Sequence, residues 1–162
     1  ISAPTNLPVP YGVECIKVDS ARSMEEVVKA HYETCDAVIM AAAVADYRVE
    51  EVAPEKIKKK EFLDLKLIKN PDILKGLGEH KTHQKLIGFA AETENVINNG
   101  KAKVANKNLD MLVANDVSKA NAGFNVDTNK VSFIYPGGQI VDLPLMTKID
   151  VAKRIILALA EL

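Results

Sequence analysis

Apolar positions along the chain recur at two spacings, and the changes between them mark the elements. Glu14 to Val18 alternates apolar and polar residues as a short strand does. Ser23-Met24-Glu25-Glu26 reads as a capping box, with Ser23 covering an early backbone N–H and Glu26 reaching back. It predicts a helix to about Thr34, with Val27, Val28 and His31 or Tyr32 on its inner face. Asp36 to Ala43 is a nearly continuous apolar run, the pattern of a strand buried on both faces of a parallel sheet. Tyr47 to Lys60 has no period and many charges, so it predicts a loop, and Leu63, Leu65 and Leu67 then alternate as a strand with one solvated face. Asn70-Pro71 is a helix start, Asn70 as cap and Pro71 at the first helical position, and that helix stops near Gly78.

The second half repeats the alternation of strand and helix. Lys85 to Ala90 predicts a strand, Glu92 or Thr93 begins a helix to Lys107 that Gly100 weakens, and Met111 to Ala114 is a short buried strand. Val131–Tyr135 and Gln139–Leu143 flank Pro136-Gly137-Gly138 as a hairpin. Thr147 caps a final helix to Leu162, with Ile149, Ala152, Ile155, Ile156 and Leu159 inward. This order predicts an α/β fold: a Rossmann-like, doubly wound, mostly parallel sheet with an antiparallel C-terminal hairpin, in one domain over residues 1–162.

Composition narrows the function classes. With 162 residues, 48% hydrophobic and 27% charged, the chain is long enough for a real core and too apolar for disorder. A formal net charge of -1 gives no reason to expect nucleic acid or an anionic membrane as partner. The longest apolar run, Ala37 to Ala45, is too short to span a bilayer. Cys15 and Cys35 form no C-x-x-C pair and read as buried or incidental thiols of a reducing cytoplasm. His31, His80 and His83 lack metal-ligand spacing, so surface placement is expected. The chain opens on Ile1, and Ile1 to Pro10, with three prolines, reads as an exposed linker of a processed or cut chain, or one that lacks a preceding segment.

In doubly wound sheets ligands bind beyond the carboxyl ends of the strands, which directs attention to Ala43 to Lys60, Lys69 to Ile73, Phe89 to Thr93 and Asn115 to Ser118. The three alanines Ala41-Ala42-Ala43 would let a flat group lie against the backbone, with the Asp46 carboxylate at the lip; tight packing and a turn aspartate are the alternative. Lys56-Ile57-Lys58-Lys59-Lys60 carries four ammonium groups in five residues, able to gather triphosphate charge, or to form an ordinary solvated surface. Asn70-Pro71-Asp72-Ile73 offers a helix amino terminus to an anion, or a simple cap. Phe89, between small residues, can stack on a base or fill the core. Lys103 and Lys107 share a helix face as phosphate or base contacts, or as surface lysines. Asn115-Asp116 can bind a polar ligand or cap a turn.

Taken together, AAAVADYR, VAPEKIKK, KNPDIL, GFAAETEN, KNLD, VANDVS and GF-x-x-D-x-N-x-V resemble bacterial phosphopantothenoylcysteine synthetases in order and spacing, and LPVPYGV resembles their linker. The resemblance covers essentially the whole chain. It implies a CTP-dependent ligase of coenzyme A biosynthesis that joins 4'-phosphopantothenate to cysteine through an acyl-cytidylate. By that resemblance Lys56 is catalytic, and Ala42, Ala43, Asp46, Lys56, Asn70, Pro71, Asp72, Ile73, Phe89, Lys103 and Lys107 bind nucleotide. Asp46 would contact base or ribose, Phe89 would pack near cytosine, and the lysine-rich segment would close over the intermediate as a flap. Mg²⁺ is implied with the nucleotide, its ligands left open, as are a homodimer and a cytoplasmic location; fusion to or association with a decarboxylase domain is left open, and FMN is expected only with that fusion. The family's first strand, glycine-rich loop and Asn-x-Ser-Ser-Gly segment have no counterpart in this sequence, so an incomplete site is expected. Two other classes compete. A nicotinamide-dependent dehydrogenase shares the fold class, but no G-x-G-x-x-G follows any strand. A binding or regulatory module would keep the nucleotide cleft without turnover.

Overall fold

A strand pairs only where its neighbours lie in register, and this decides which of the alternating runs become sheet. The computed structural model describes residues 1–92, 95–116 and 126–162. Its elements are α1 (Ala21–Tyr32), β1 (Ala37–Met40), β2 (Tyr47–Val49), β3 (Leu67–Lys69), α2 (Ile73–Glu79), β4 (Lys85–Glu92), α3 (Val96–Asn106), β5 (Met111–Asp116), β6 (Thr128–Asn129), β7 (Val131–Ile134), β8 (Ile140–Asp142), β9 (Met146–Thr147) and α4 (Lys148–Ala160). They fall into two compact units: residues 1–30 with 43–72, and residues 31–42 with 73–162.

The second unit holds a five-stranded sheet in the order β1-β4-β5-β7-β8. β1, β4 and β5 run parallel, while β7 and β8 are antiparallel, so the mixed sheet with its terminal hairpin is as the sequence predicts. Odd and even residues of β4 and β5 point to opposite faces. Ile87, Met111 and Val113 join Val131 and Phe133 in a buried cluster with Val151 and Ile155 of α4, and Phe89 packs partly against it. Gly88 and Leu112 face the other way, where a Cβ on Gly88 would come 2.7 Å from Leu74 of α2. Gly100 of α3 lies on the same side, and a Cβ there would strike Ile134. A glycine that costs helix propensity thus lets α3 sit close on the sheet.

Several predicted elements are displaced. Among the described residues β1 pairs with β4 alone, and its residues are half-buried or exposed, so the run from Asp36 is an edge strand rather than one buried on both faces. It also ends at Met40, leaving Ala41, Ala42 and Ala43 exposed beyond the ladder. On α4, Thr147 caps as expected, its Oγ1 accepting from the Asp150 N–H at 3.1 Å. The buried face is Val151 and Ile155, with Ala158 and Leu159 beside the cluster, while Ile149 and Ile156 are exposed and Ala152 lies outside the core. The stripe that fits the sheet is the 151/155/158/159 one.

In the first unit, Glu14 to Val18 forms no strand. Its alternation supports one parallel bridge between Ser2 and Lys17, with Ser2 N–H on Ile16 O at 2.8 Å and Val18 N–H on Ser2 O at 3.0 Å. The α1 cap is Ser20, three residues before the expected one. The Ser23 N–H donates to Ser20 Oγ at 3.2 Å and the Ser20 N–H to Ser23 Oγ at 3.1 Å, so Ser23 fills the returning role expected of Glu26. The buried stripe of α1 is Met24, Val28 and Tyr32, one residue every turn and a fraction. Tyr47 to Val49, expected in a loop, pairs antiparallel with Leu67 to Lys69 as a two-stranded ribbon. The predicted strand through Leu63 and Leu65 is therefore shifted to Leu67–Lys69. The predicted helix start at Thr93 lies outside the described residues.

Candidate functional site

The AAAVADYR and KNPDIL segments, separated by the lysine-rich stretch, are fastened together by Asn70. This residue is buried, its N–H donates to Asp46 O at 2.7 Å, and its Nδ2 donates to Ala45 O at 2.9 Å. Arg48 Nη1 donates to Asn70 Oδ1 at 3.0 Å and to Lys69 O at 2.9 Å. Every hydrogen-bonding atom of the amide group is thereby committed to the ribbon. Asn70 is consequently a strap between two strands rather than the cap of α2, which begins at Ile73 after Pro71 and Asp72. The identity of Arg48 as the partner was not singled out in the sequence, although it closes the AAAVADYR string.

The strap fixes the ends of an excursion. Residues 50–66 form no strand, are exposed throughout, and are joined near their base by a Lys66–Glu50 ion pair at 2.8 Å. Lys56, Lys58, Lys59 and Lys60 project from this excursion, and Asp46 is exposed at its entrance. Four cations on a tethered loop in a chain of net charge -1 make a local positive concentration, able to take up a polyanion without global attraction. Pro71 is half-buried and Asp72 exposed, whereas Ile73 is buried at the start of α2, so Ile73 serves as a packing residue.

Phe89, Lys103 and Lys107 belong to the second unit and do not converge. Phe89 is half-buried on the α4 face of the sheet, opposite Val113 in the β4–β5 register. Lys103 is in the last turn of α3 and Lys107 is its C-cap, on the face that α3 covers. The chain turns there into β5: Asn108 Nδ2 donates to Gly78 O at 3.1 Å, and Lys81 Nζ meets Asn108 O at 2.8 Å and Asp110 Oδ2 at 3.0 Å. Lys103 and Lys107 therefore lie toward the amino-terminal ends of the parallel strands, away from Phe89 in face and in height. The Lys81–Asp110 pair, which also takes the Leu86 N–H at 2.7 Å, was not legible from spacing, because its members are 29 positions apart.

At the carboxyl end of β5, Asn115 stands opposite Ala91 of β4 and Val131 of β7. Among the described residues its buried Oδ1 has no hydrogen-bond partner. Val117, Ser118 and the Gly123-Phe124 pair of the last family string lie outside the described residues. Among the described residues, no group of three or more His, Cys, Asp and Glu side chains could hold a metal ion, and no helix is long and apolar enough to cross a membrane.

Comparison with known proteins agrees with this architecture. The coenzyme A biosynthesis bifunctional protein CoaBC of Bacillus subtilis (strain 168) is 44% identical over 164 residues, covering 100% of this chain and 40% of that protein. The CoaBC of Escherichia coli (strain K12) is 44% identical over 153 residues, covering 91% of this chain and 37% of the relative. The chain thus spans about 40% of the length of the curated relatives it matches. Among solved structures, the C-terminal domain of a CoaBC superposes with a TM-score of 0.80 at 40% identity, over 97% of this chain and 69% of that one. The DNA/pantothenate metabolism flavoprotein of Streptococcus pneumoniae superposes with a TM-score of 0.78 over 98% of this chain and 78% of that one; at 19% identity it speaks for the fold. The profile of the DNA/pantothenate metabolism flavoprotein C-terminal domain matches residues 1–162, and the chain belongs to that family.

Proposed function

We propose that this chain is the nucleotide-binding part of a CTP-dependent phosphopantothenate–cysteine ligase acting in coenzyme A biosynthesis. The observation that carries the reading is the Asn70 strap, which holds Asp46 at the entrance of a lysine-rich excursion and fixes both ends of that excursion. A carboxylate is a poor electrophile, so amide formation needs it converted to an anhydride. The pantothenate carboxylate oxygen would attack the α-phosphorus of CTP, forming an acyl-cytidylate and expelling pyrophosphate. The cysteine amine would then attack the acyl carbon and expel CMP, losing its proton as the amide forms. Both steps bring anions together, and Lys56 on its tethered loop would neutralise the charge that develops on phosphorus. Asp46 would contact base or ribose, the exposed Ala42 and Ala43 would leave room for a flat group, and Phe89 would pack on the base. Lys103 and Lys107 enter this reading on resemblance alone, given their place on the other face of the sheet. Mg²⁺ would arrive with the triphosphate, held by phosphate oxygens and water in the way that ion favours, rather than in a protein cage.

The reading extends to partners: a homodimer, a cytoplasmic setting, and a decarboxylase domain, with its own FMN, fused to or associated with this one. The decisive experiment is Lys56→Gln in the full-length protein. Pyrophosphate release with CTP, phosphopantothenate and cysteine should fall about a hundredfold, about 3 kcal/mol of transition-state stabilisation, while CTP affinity changes little. Unchanged turnover would return the lysine run to the solvated surface and remove the catalytic assignment.

A further inference from the structure

On one face of the ribbon, Arg48 carries a charge that no acidic group among the described residues neutralises. The ladder continues past both ends of β2, with the Asn70 N–H on Asp46 O at 2.7 Å and the Glu50 N–H on Lys66 O at 2.9 Å. Side chains two apart on an extended chain share a face, so Arg48 stands between Asp46 and Glu50. It pairs with neither: Glu50 is taken by Lys66 at 2.8 Å, and Asp46 is exposed with no ionic partner among the described residues. The guanidinium is half-buried and held by two neutral acceptors, Lys69 O and Asn70 Oδ1, both on Nη1. Those bonds use both hydrogens of Nη1. The Nε–H and the Nη2 hydrogens remain, and they form the side-on edge of the fork that meets a carboxylate with two parallel bonds. An arginine fixed by one nitrogen with its opposite edge free is already ordered for a ligand, so little side-chain entropy is lost on binding.

We infer that this free edge of Arg48 receives the α-carboxylate of the amino acid substrate, with the α-nitrogen directed to Asp46. The inference rests on the reading of the chain as a phosphopantothenate–cysteine ligase and gives a place to cysteine, which that reading leaves without one. Flanking charge selects the ligand. A phosphate dianion at Arg48 would meet the acid groups of Asp46 and Glu50, whereas an amino acid zwitterion sets its ammonium against Asp46 and its carboxylate on the guanidinium. The lysines of the excursion, strongly hydrated point charges, suit phosphates, and the planar fork suits the carboxylate. Asp46 has two oxygens, and lone pairs enough for this contact beside one to base or ribose. Held at both groups, the amino acid presents its nitrogen from a fixed place at the entrance of the excursion that carries Lys56.

The test is amide formation by the full-length protein with CTP, phosphopantothenate and Mg²⁺, offering either L-cysteine or cysteamine, which has the same amine and thiol and no carboxylate. Wild type should favour cysteine in kcat/KM by at least about tenfold, the size expected for one charge-assisted contact made or left unmade. Arg48→Met should remove the preference, through a raised KM for cysteine. General loosening of the ribbon lowers turnover with both nucleophiles alike, so the ratio reads the carboxylate contact alone. Arg48→Lys keeps the charge without the fork and should retain an intermediate preference, which decides the matter even if Arg48→Met does not fold. A wild type that uses both nucleophiles equally, or a cysteine preference unchanged in the variants, overturns this inference and leaves the ligase reading standing. A rise confined to the KM for phosphopantothenate would give Arg48 to the phosphate of that substrate and also overturns it. A wild type that releases no pyrophosphate from CTP with phosphopantothenate and cysteine overturns both.

Discussion

Tyr32 shows how one residue can join elements distant in sequence, through its side chain and its backbone together. Its hydroxyl donates to Leu77 O at 3.0 Å, at the carbonyl end of α2, and its own carbonyl takes the Gln84 Nε2–H at 3.0 Å ahead of β4. Burial holds the phenol pKa above its ordinary value, with the nearby Cys35 and Asp110 adding to the effect. The folded state therefore keeps this proton more firmly than the unfolded chain does. The contribution is fully present below pH about 10 and is lost as pH rises through the higher folded value. Tyr32→Phe should cost about 1 kcal/mol at neutral pH. Its melting temperature should also fall less steeply than wild type between about pH 9 and 11, followed by circular dichroism. Parallel alkaline limbs in the two proteins would mean that the phenol is not the titrating group. In the sequence Tyr32 was legible only as an inward residue; its two partners lie 45 and 52 positions away, which periodicity cannot reach. The same holds for Asn70, whose neighbour Pro71 and position before a helix point to a cap. The competing demand, the otherwise exposed polar backbone of Ala45 and Asp46, comes from across the ribbon and is invisible locally.

At the scale of elements, the strands and helices of the second unit were largely legible because each repeats one period over its whole length. The parallel strands β4 and β5 and the hairpin around Pro136-Gly137-Gly138 stand where the pattern puts them, while β1 is shorter than its apolar run and lies at an edge. The failures share a physical cause: short runs do not choose their own partners. Glu14 to Val18 alternates and still forms only a bridge, while Tyr47 to Val49, too short to show a period, becomes a strand because Leu67 to Lys69 lies antiparallel to it. Two substitutions test the element-level account. Gly100→Ala would ordinarily raise helix stability by up to about 1 kcal/mol. Here the added methyl meets Ile134 beneath α3, so equilibrium urea unfolding should show a net loss of about 1–3 kcal/mol. Asn70→Ala leaves Ala45 O and one Arg48 bond unsatisfied, and should cost about 1–3 kcal/mol. Because the strap holds both ends of residues 50–66, trypsin should also cut at Lys56 to Lys60 faster in this variant than in wild type. Equal cleavage rates would mean that the ribbon is held closed without Asn70.

For the whole molecule the surface is the informative quantity, and its apolar part is unevenly spread. Tyr47, Val52, Phe62, Leu63, Leu65 and Leu67 are all more than half exposed, and all belong to the ribbon and its excursion in the first unit. Single exposed apolar residues are ordinary, but six within 21 consecutive positions are a concentration that suits a partner surface. The candidate occupants are a second copy of the chain, in keeping with the proposed homodimer, or the rest of a longer polypeptide. The two make different predictions. If a second copy covers the ribbon, sedimentation equilibrium of the purified 17.7 kDa chain should give twice that mass at micromolar concentration. Leu65→Asp would then place a charge on the buried surface, and it should return the chain to the single mass with its circular dichroism unchanged. The tethered lysines should titrate with nucleotide differently in the two species, since pairing at the ribbon would bring two sets of Lys56 to Lys60 into one neighbourhood and raise the local positive potential. A wild-type chain that stays at the single mass across the concentration range would assign the apolar ribbon to contacts within a longer polypeptide and remove the homodimer from the proposed function.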